Sequence, residues 1–158
     1  MSLTSRINKY LDSISSYYEG VTCYVRGIPN QVSKVLPEEF SKDFKEVECP
    51  SLKDLIIGDV LSNEVVVCNN RLGTCIHVFD NAKICVTEVS GREVVLNVDE
   101  TSQVGGDDLI AYVITGKGEV RNFYSRCEGY IILIEEFSGR PQGYRIYVVG
   151  GEYVRKIR

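Results

Sequence analysis

Residues Leu109 to Ser125 read LIAYVITGKGEVRNFYS. Two runs rich in β-branched and aromatic residues flank Thr115-Gly116-Lys117-Gly118, the composition of two strands joined by a tight turn. Gly116 and Gly118 tolerate positive φ, so the turn sets Lys117 at a solvated hairpin tip. The same grammar extends in both directions. After Pro50, short segments rich in Val, Ile and Tyr alternate with clusters of Gly, Asn, Asp and Ser. They predict strands near 64–68, 74–79, 84–89, 92–99, 109–114, 119–125, 130–136, 144–149 and 153–157. No strand–helix–strand alternation is present, which excludes a Rossmann arrangement and leaves a mainly β, antiparallel sandwich or barrel.

The first third of the chain reads differently. Leu3, Ile7, Leu11, Ile14 and Tyr18 recur at helical spacing and predict an amphipathic helix over about 4–19. Its polar face is rich in Ser rather than Lys, so its apolar stripe is expected to dock on protein, not on lipid. Val21–Arg26 reads as a strand, Gly27–Asn30 as a turn, and Pro37–Val47 as a second, short helix with Pro at its start. The expected organisation is an α+β segment over 1–80 packed on a β domain over 81–158.

Composition bounds the function. Of 158 residues, 44% are hydrophobic and 25% charged, which excludes wholesale disorder. No apolar run reaches the ~18 residues that a spanning helix needs, and residues 1–20 lack the pattern of a secretory signal. The expectation is a cytoplasmic protein without a membrane partner. Net charge is −4, yet Thr115–Arg158 carries eight basic and five acidic residues, a local +3. That basic C-terminal face suits a partner protein or an anionic ligand.

Catalytic and metal chemistry find little support. The six cysteines contain no C-x-x-C, and His77 is the only histidine, so no zinc or other metal site is expected. Buried thiols on strands are the plain reading, with Cys68 and Cys75, which flank a hairpin turn, placed to face each other. His77 alternates with Cys75 and Phe79 along a strand, and no nucleophile or oxyanion element accompanies it, so no catalytic residue is assigned. Asp107 and Asp108 read as caps for backbone N–H groups in a turn.

Two stretches look alike. Gly91–Glu100 and Gly129–Glu136 each lead to a Val-Gly-Gly-acid turn, at Val104–Asp107 and Val149–Glu152, and then to a strand. This predicts two quasi-equivalent halves related by a near two-fold. From Val94 to Glu136 the order of strands and turns resembles the lipoyl- and biotinyl-attachment domains, the barrel-sandwich hybrids. Gly106-Asp107-Asp108-Leu109 matches their G-D-x-L element, and Thr115-Gly116-Lys117-Gly118 lies where their modified lysine stands. Ser125–Gly129 matches the turn into their second half. The hairpin, Arg140-Pro141 and the Tyr-x-x-x-Val-Val segment are also similar to an uncharacterised archaeal family of that fold.

The resemblance covers about 84–158. It implies a lysine-modified carrier with Lys117 as the attachment point, but Gly flanks Lys117 where lipoyl domains have Asp and Ala and biotinyl domains have Met. Ligases read those neighbours, so neither lipoate nor biotin is expected and no cofactor is assigned. The favoured reading is a non-catalytic binding or protein-interaction module acting through Lys117, Arg121 and Arg126, with homo-oligomerisation open. A nucleic-acid module would add Phe123 and Tyr124 for stacking.

Overall fold

A computed structural model describes residues 20–27, 43–137 and 141–158. The helix expected over 4–19, residues 28–42 and Arg140 lie outside the described residues. The described chain is mainly β, and every strand pair is antiparallel.

The strands are β1 (Val21–Arg26), β2 (Phe44–Val47), β3 (Ile56–Ile57), β4 (Val60–Leu61), β5 (Val65–Asn69), β6 (Thr74–Val78) and β7 (Ile84–Gly91). They continue as β8 (Glu93–Leu96), β9 (Gln103–Val104), β10 (Leu109–Ile114), β11 (Val120–Tyr124), β12 (Gly129–Phe137), β13 (Gln142–Val149) and β14 (Val154–Lys156). Two 3-10 turns, Cys49–Leu55 and Gly151–Tyr153, interrupt them. The strands assemble as β14-β6-β5-β1-β2, β7-β13-β12-β9 and β11-β10-β8, with β3-β4 as a small fourth pair.

The four-stranded sheet is the middle layer. Along β13, Ile146 and Val148 enter the core shared with β8 and β10, while Tyr147 and Val149 enter the core shared with β1, β5 and β6. A strand covered on both faces reads as an unbroken apolar run, which is what Tyr130–Ile134 shows. A bulge between Ile131 and Leu133 shifts the alternation, so Ile132 and Leu133 both face the five-stranded sheet. The outer face of that sheet carries a third buried cluster, Tyr24, Phe44, Val66, Cys68 and Cys75. Each fully buried aliphatic or aromatic side chain contributes about 1.5–3 kcal/mol.

Three sequence expectations are corrected. Phe44–Val47 is a strand, not the end of a helix: it pairs with β1 in register Cys23↔Val47 to Arg26↔Phe44, and that ladder overrides local helix signals. The two look-alike stretches are not equivalent, because β8 pairs with β10 whereas β12 pairs with β13 and β14 with β6. The cysteines are not free thiols. Cys23–Cys49, Cys68–Cys75 and Cys85–Cys127 are disulfides, and Cys68 and Cys75 stand directly opposite on β5 and β6. The sheet built by residues 21–78 is completed by β14, so the two ends of the described chain share one sheet.

Candidate functional site

The β10–β11 hairpin is held by its own turn. The Gly118 N–H donates to the Thr115 carbonyl at 2.9 Å and the Thr115 N–H to the Glu119 carbonyl at 2.8 Å. Thr115 Oγ1 accepts from the N–H groups of Lys117 at 3.3 Å and Glu119 at 3.1 Å. Gly118, at φ +84°, occupies the left-handed region that closes such a turn. Lys117 is exposed at the tip, as its glycine neighbours predict, and no described acid lies within ion-pair distance of it.

Alternation along the strands then divides the hairpin into two faces. Register places Val95, Tyr112 and Asn122 side by side, with Ile114, Val120 and Tyr124 on the same outer face. Val95 (48% exposed), Tyr112 (39%), Val120 (66%) and Tyr124 (49%) leave that face largely apolar and open to solvent. Phe123 points the other way, half-buried against the core of Val94, Ile110 and Ile131. Arg121 shares the parity of Phe123 and is exposed, its Nη2 3.0 Å from Glu119 Oε1.

The five residues singled out in the sequence are therefore not one pocket. Lys117 and Arg126 stand beyond opposite ends of β11, whose five residues alone span about 13 Å by strand rise. Phe123 is committed to packing and Tyr124 is not. Val95, Tyr112 and Val120 were not singled out, because strand alternation tells which residues share a face but not which face is covered.

Two ion-pair networks brace the sheets. Glu135 on β12 receives Lys53 Nζ at 2.6 Å, Arg145 Nη1 at 3.0 Å and the Tyr147 hydroxyl at 3.0 Å. The Lys53 hydrogen bond, above all, holds its carboxyl below the ordinary value, against the effect of burial. Glu64 joins His77 Nε2 at 2.8 Å and both carboxylate oxygens to Arg26 Nη1, at 2.9 and 3.0 Å. Burial alone would raise the Glu64 carboxyl, and the hydrogen bonds from His77 and Arg26 outweigh it and lower it. His77 is bound to an ion-paired carboxylate and packed on Phe44 and Phe79. Its neighbour Cys75 is disulfide-bonded and offers no thiolate. Asp108 Oδ2 caps the Gly105 N–H at 2.7 Å, the turn role expected for it.

A groove of about 930 Å³ opens between the start of β1, β2 and β12, walled by Val21, Val47, Pro50 and Leu133 and edged by Glu46 and Glu100. Burial pushes the Glu100 carboxyl up. Among the described residues no group of three His, Cys, Asp or Glu side chains is placed to hold a metal ion, and no helix is long and apolar enough to cross a membrane.

Comparison with curated proteins returned no match. A family profile does match, over residues 29–151, and so takes in the hairpin and the strands from β2 to β13. The chain belongs to the family described as "uncharacterized protein conserved in archaea" (DUF2118).

Proposed function

We propose that this chain is a non-catalytic interaction module, and that the β10–β11 hairpin with the outer face of the β8–β10–β11 sheet is its working surface. The observation that carries the reading is the exposed set Val95, Tyr112, Val120 and Tyr124 on a sheet whose edge strand β11 has no described neighbour beyond β10. Monomeric proteins hide contiguous apolar faces unless a partner uses them. Lys117 and Arg126 flank β11 and Arg121 lies on it, a basic set that favours acidic groups on a partner. A protein of the cytoplasm suits this reading, and the pairing of a three-stranded with a four-stranded sheet around one core suits a barrel-sandwich hybrid over 81–158.

The experiment compares the full chain with Tyr124→Asp as baits in extract from an archaeal host. The expected result is a discrete partner held by the parent and retained at least tenfold less by the variant, with melting unchanged. Equal retention by both, or a parent that holds neither a partner from the extract nor a second copy of itself, overturns the reading. Intact mass of host-expressed protein tests the carrier alternative, which requires an adduct on Lys117. A salt-dependent mobility shift with single-stranded RNA tests the nucleic-acid alternative.

A further inference from the structure

We infer that β11 pairs with β11 of a second copy of this chain, in antiparallel register about a two-fold axis through Asn122. The inference rests on the reading of this hairpin as an interaction surface and names its partner.

Hydrogen-bond phase sets the register. The Thr115 N–H bonds to the Glu119 carbonyl, and bonded pairs recur at every second residue of an antiparallel ladder. Val113↔Arg121 and Ala111↔Phe123 are therefore the bonded pairs inside the hairpin. The backbone groups of Val120, Asn122 and Tyr124 point to the free edge. A two-fold at Asn122 sets Asn122 against its own copy and Val120 against the second copy's Tyr124. All three outward residues then become bonded pairs, each exchanging two N–H···O bonds.

The side chains complement one another in the same register. Val120 and Tyr124, both exposed, become an apolar cross-strand pair on each side of the axis. Asn122 carries both donor and acceptor and meets an identical amide. On the other face Arg121 comes opposite Phe123 of the second copy, a cation beside a ring. Beyond the strand ends, Lys117 and Glu119 of one copy approach Arg126 and Glu128 of the other, two charges of each sign. The devices that usually block edge pairing are sparse here. β11 has no proline and one charge, whereas the edge strands β2 and β14 carry Lys45 and Glu46, and Arg155 and Lys156.

The test is sedimentation velocity on the full chain, with Asn122→Pro and Val120→Asp. The Asn122 N–H faces away from β10, so proline there removes a donor only from the outer edge. Val120→Asp alters a side chain that is mostly in water and covers the case in which the proline variant fails to fold. The parent is expected to pass from monomer to dimer with rising concentration, and each folded variant to associate at least tenfold more weakly. A parent that stays monomeric up to about 1 mM, the weak limit of measurable association, overturns the inference. So does a dimer that both variants preserve. A monomeric parent whose extract partner is still lost with Tyr124→Asp sinks self-pairing alone and leaves the interaction reading standing.

Discussion

Tyr112 and Val95 are direct cross-strand partners on β10 and β8, and both side chains stand in water. One residue earlier on β10, Ala111 is fully buried, and the register shift between Leu109 and Ala111 turns Ile110 inward as well. Alternation thus separates a surface available to a partner from a core that is not.

That separation predicts opposite stability effects on one strand. Tyr112→Asp should change stability by no more than about 0.5 kcal/mol, as surface substitutions do. Ile110→Ala should cost about 2–5 kcal/mol through the cavity it leaves. Chemical denaturation of the two variants checks this; equal costs would mean that the outer face is packed.

Two glycines differ in the same way. Gly129 sits at φ +142°, and a Cβ there would collide with the carbonyl of Val149 on β13. Gly118 has positive φ but open space around it. Gly129→Ala should therefore unfold the chain or lower its melting point by more than 10 °C, while Gly118→Ala should cost only about 1–2 kcal/mol. Thermal melts decide, and similar losses for both would contradict the assigned backbone.

How much of this was legible in the sequence depends on the length of the element. Strands of three or more residues after Pro50 announced themselves through turn residues and β-branched runs, and the nine expected there correspond to β5–β8 and β10–β14, with β8 ending at Leu96 rather than at residue 99. The two-residue strands β3, β4 and β9 are too short to carry a period. Phe44 and Val47 are three apart, a spacing that suits a helix face as well as a four-residue strand, and only pairing with β1 resolves it. The Lys117 tip followed from its glycines. That Cys68 and Cys75 face each other followed from hairpin symmetry but their oxidation did not, and Cys23–Cys49 and Cys85–Cys127 depend on sheet order, which spacing does not encode.

The disulfides yield a graded prediction. Their sequence separations are 42 for Cys85–Cys127, 26 for Cys23–Cys49 and 7 for Cys68–Cys75. Loop closure then gives roughly 4, 3.5 and 2.5 kcal/mol. Cys85 is exposed, whereas Cys68 and Cys75 are buried. Mild reductant should open Cys85–Cys127 first and lower the melting point by roughly 10 °C. Alkylation followed by peptide mass mapping checks the order; labelling of Cys68 before Cys85 would contradict it.

The carboxylates predict the acid limb of stability. Glu135 and Glu64 are held below the ordinary 4.5, so each contributes stability that is complete at neutral pH and lost as pH falls through their lowered values. Glu100 is raised, so its ionised form opposes folding at neutral pH and acidification relieves it. Glu135→Gln should lower the melting point at pH 7 and flatten its fall towards pH 3. Glu100→Gln should raise the melting point at pH 7. Melts across that range check both signs, and a Glu100→Gln variant less stable than the parent would contradict the second.

Amide hydrogen exchange along β11 tests the central claim most directly, since that claim is an open edge awaiting a partner strand. In dilute solution the amides of Arg121 and Phe123 should exchange slowly and those of Val120, Asn122 and Tyr124 fast, with protection of the latter three appearing as partner strand is supplied. Uniformly slow exchange of all five amides at every dilution would show the edge already covered within the chain and would contradict the account.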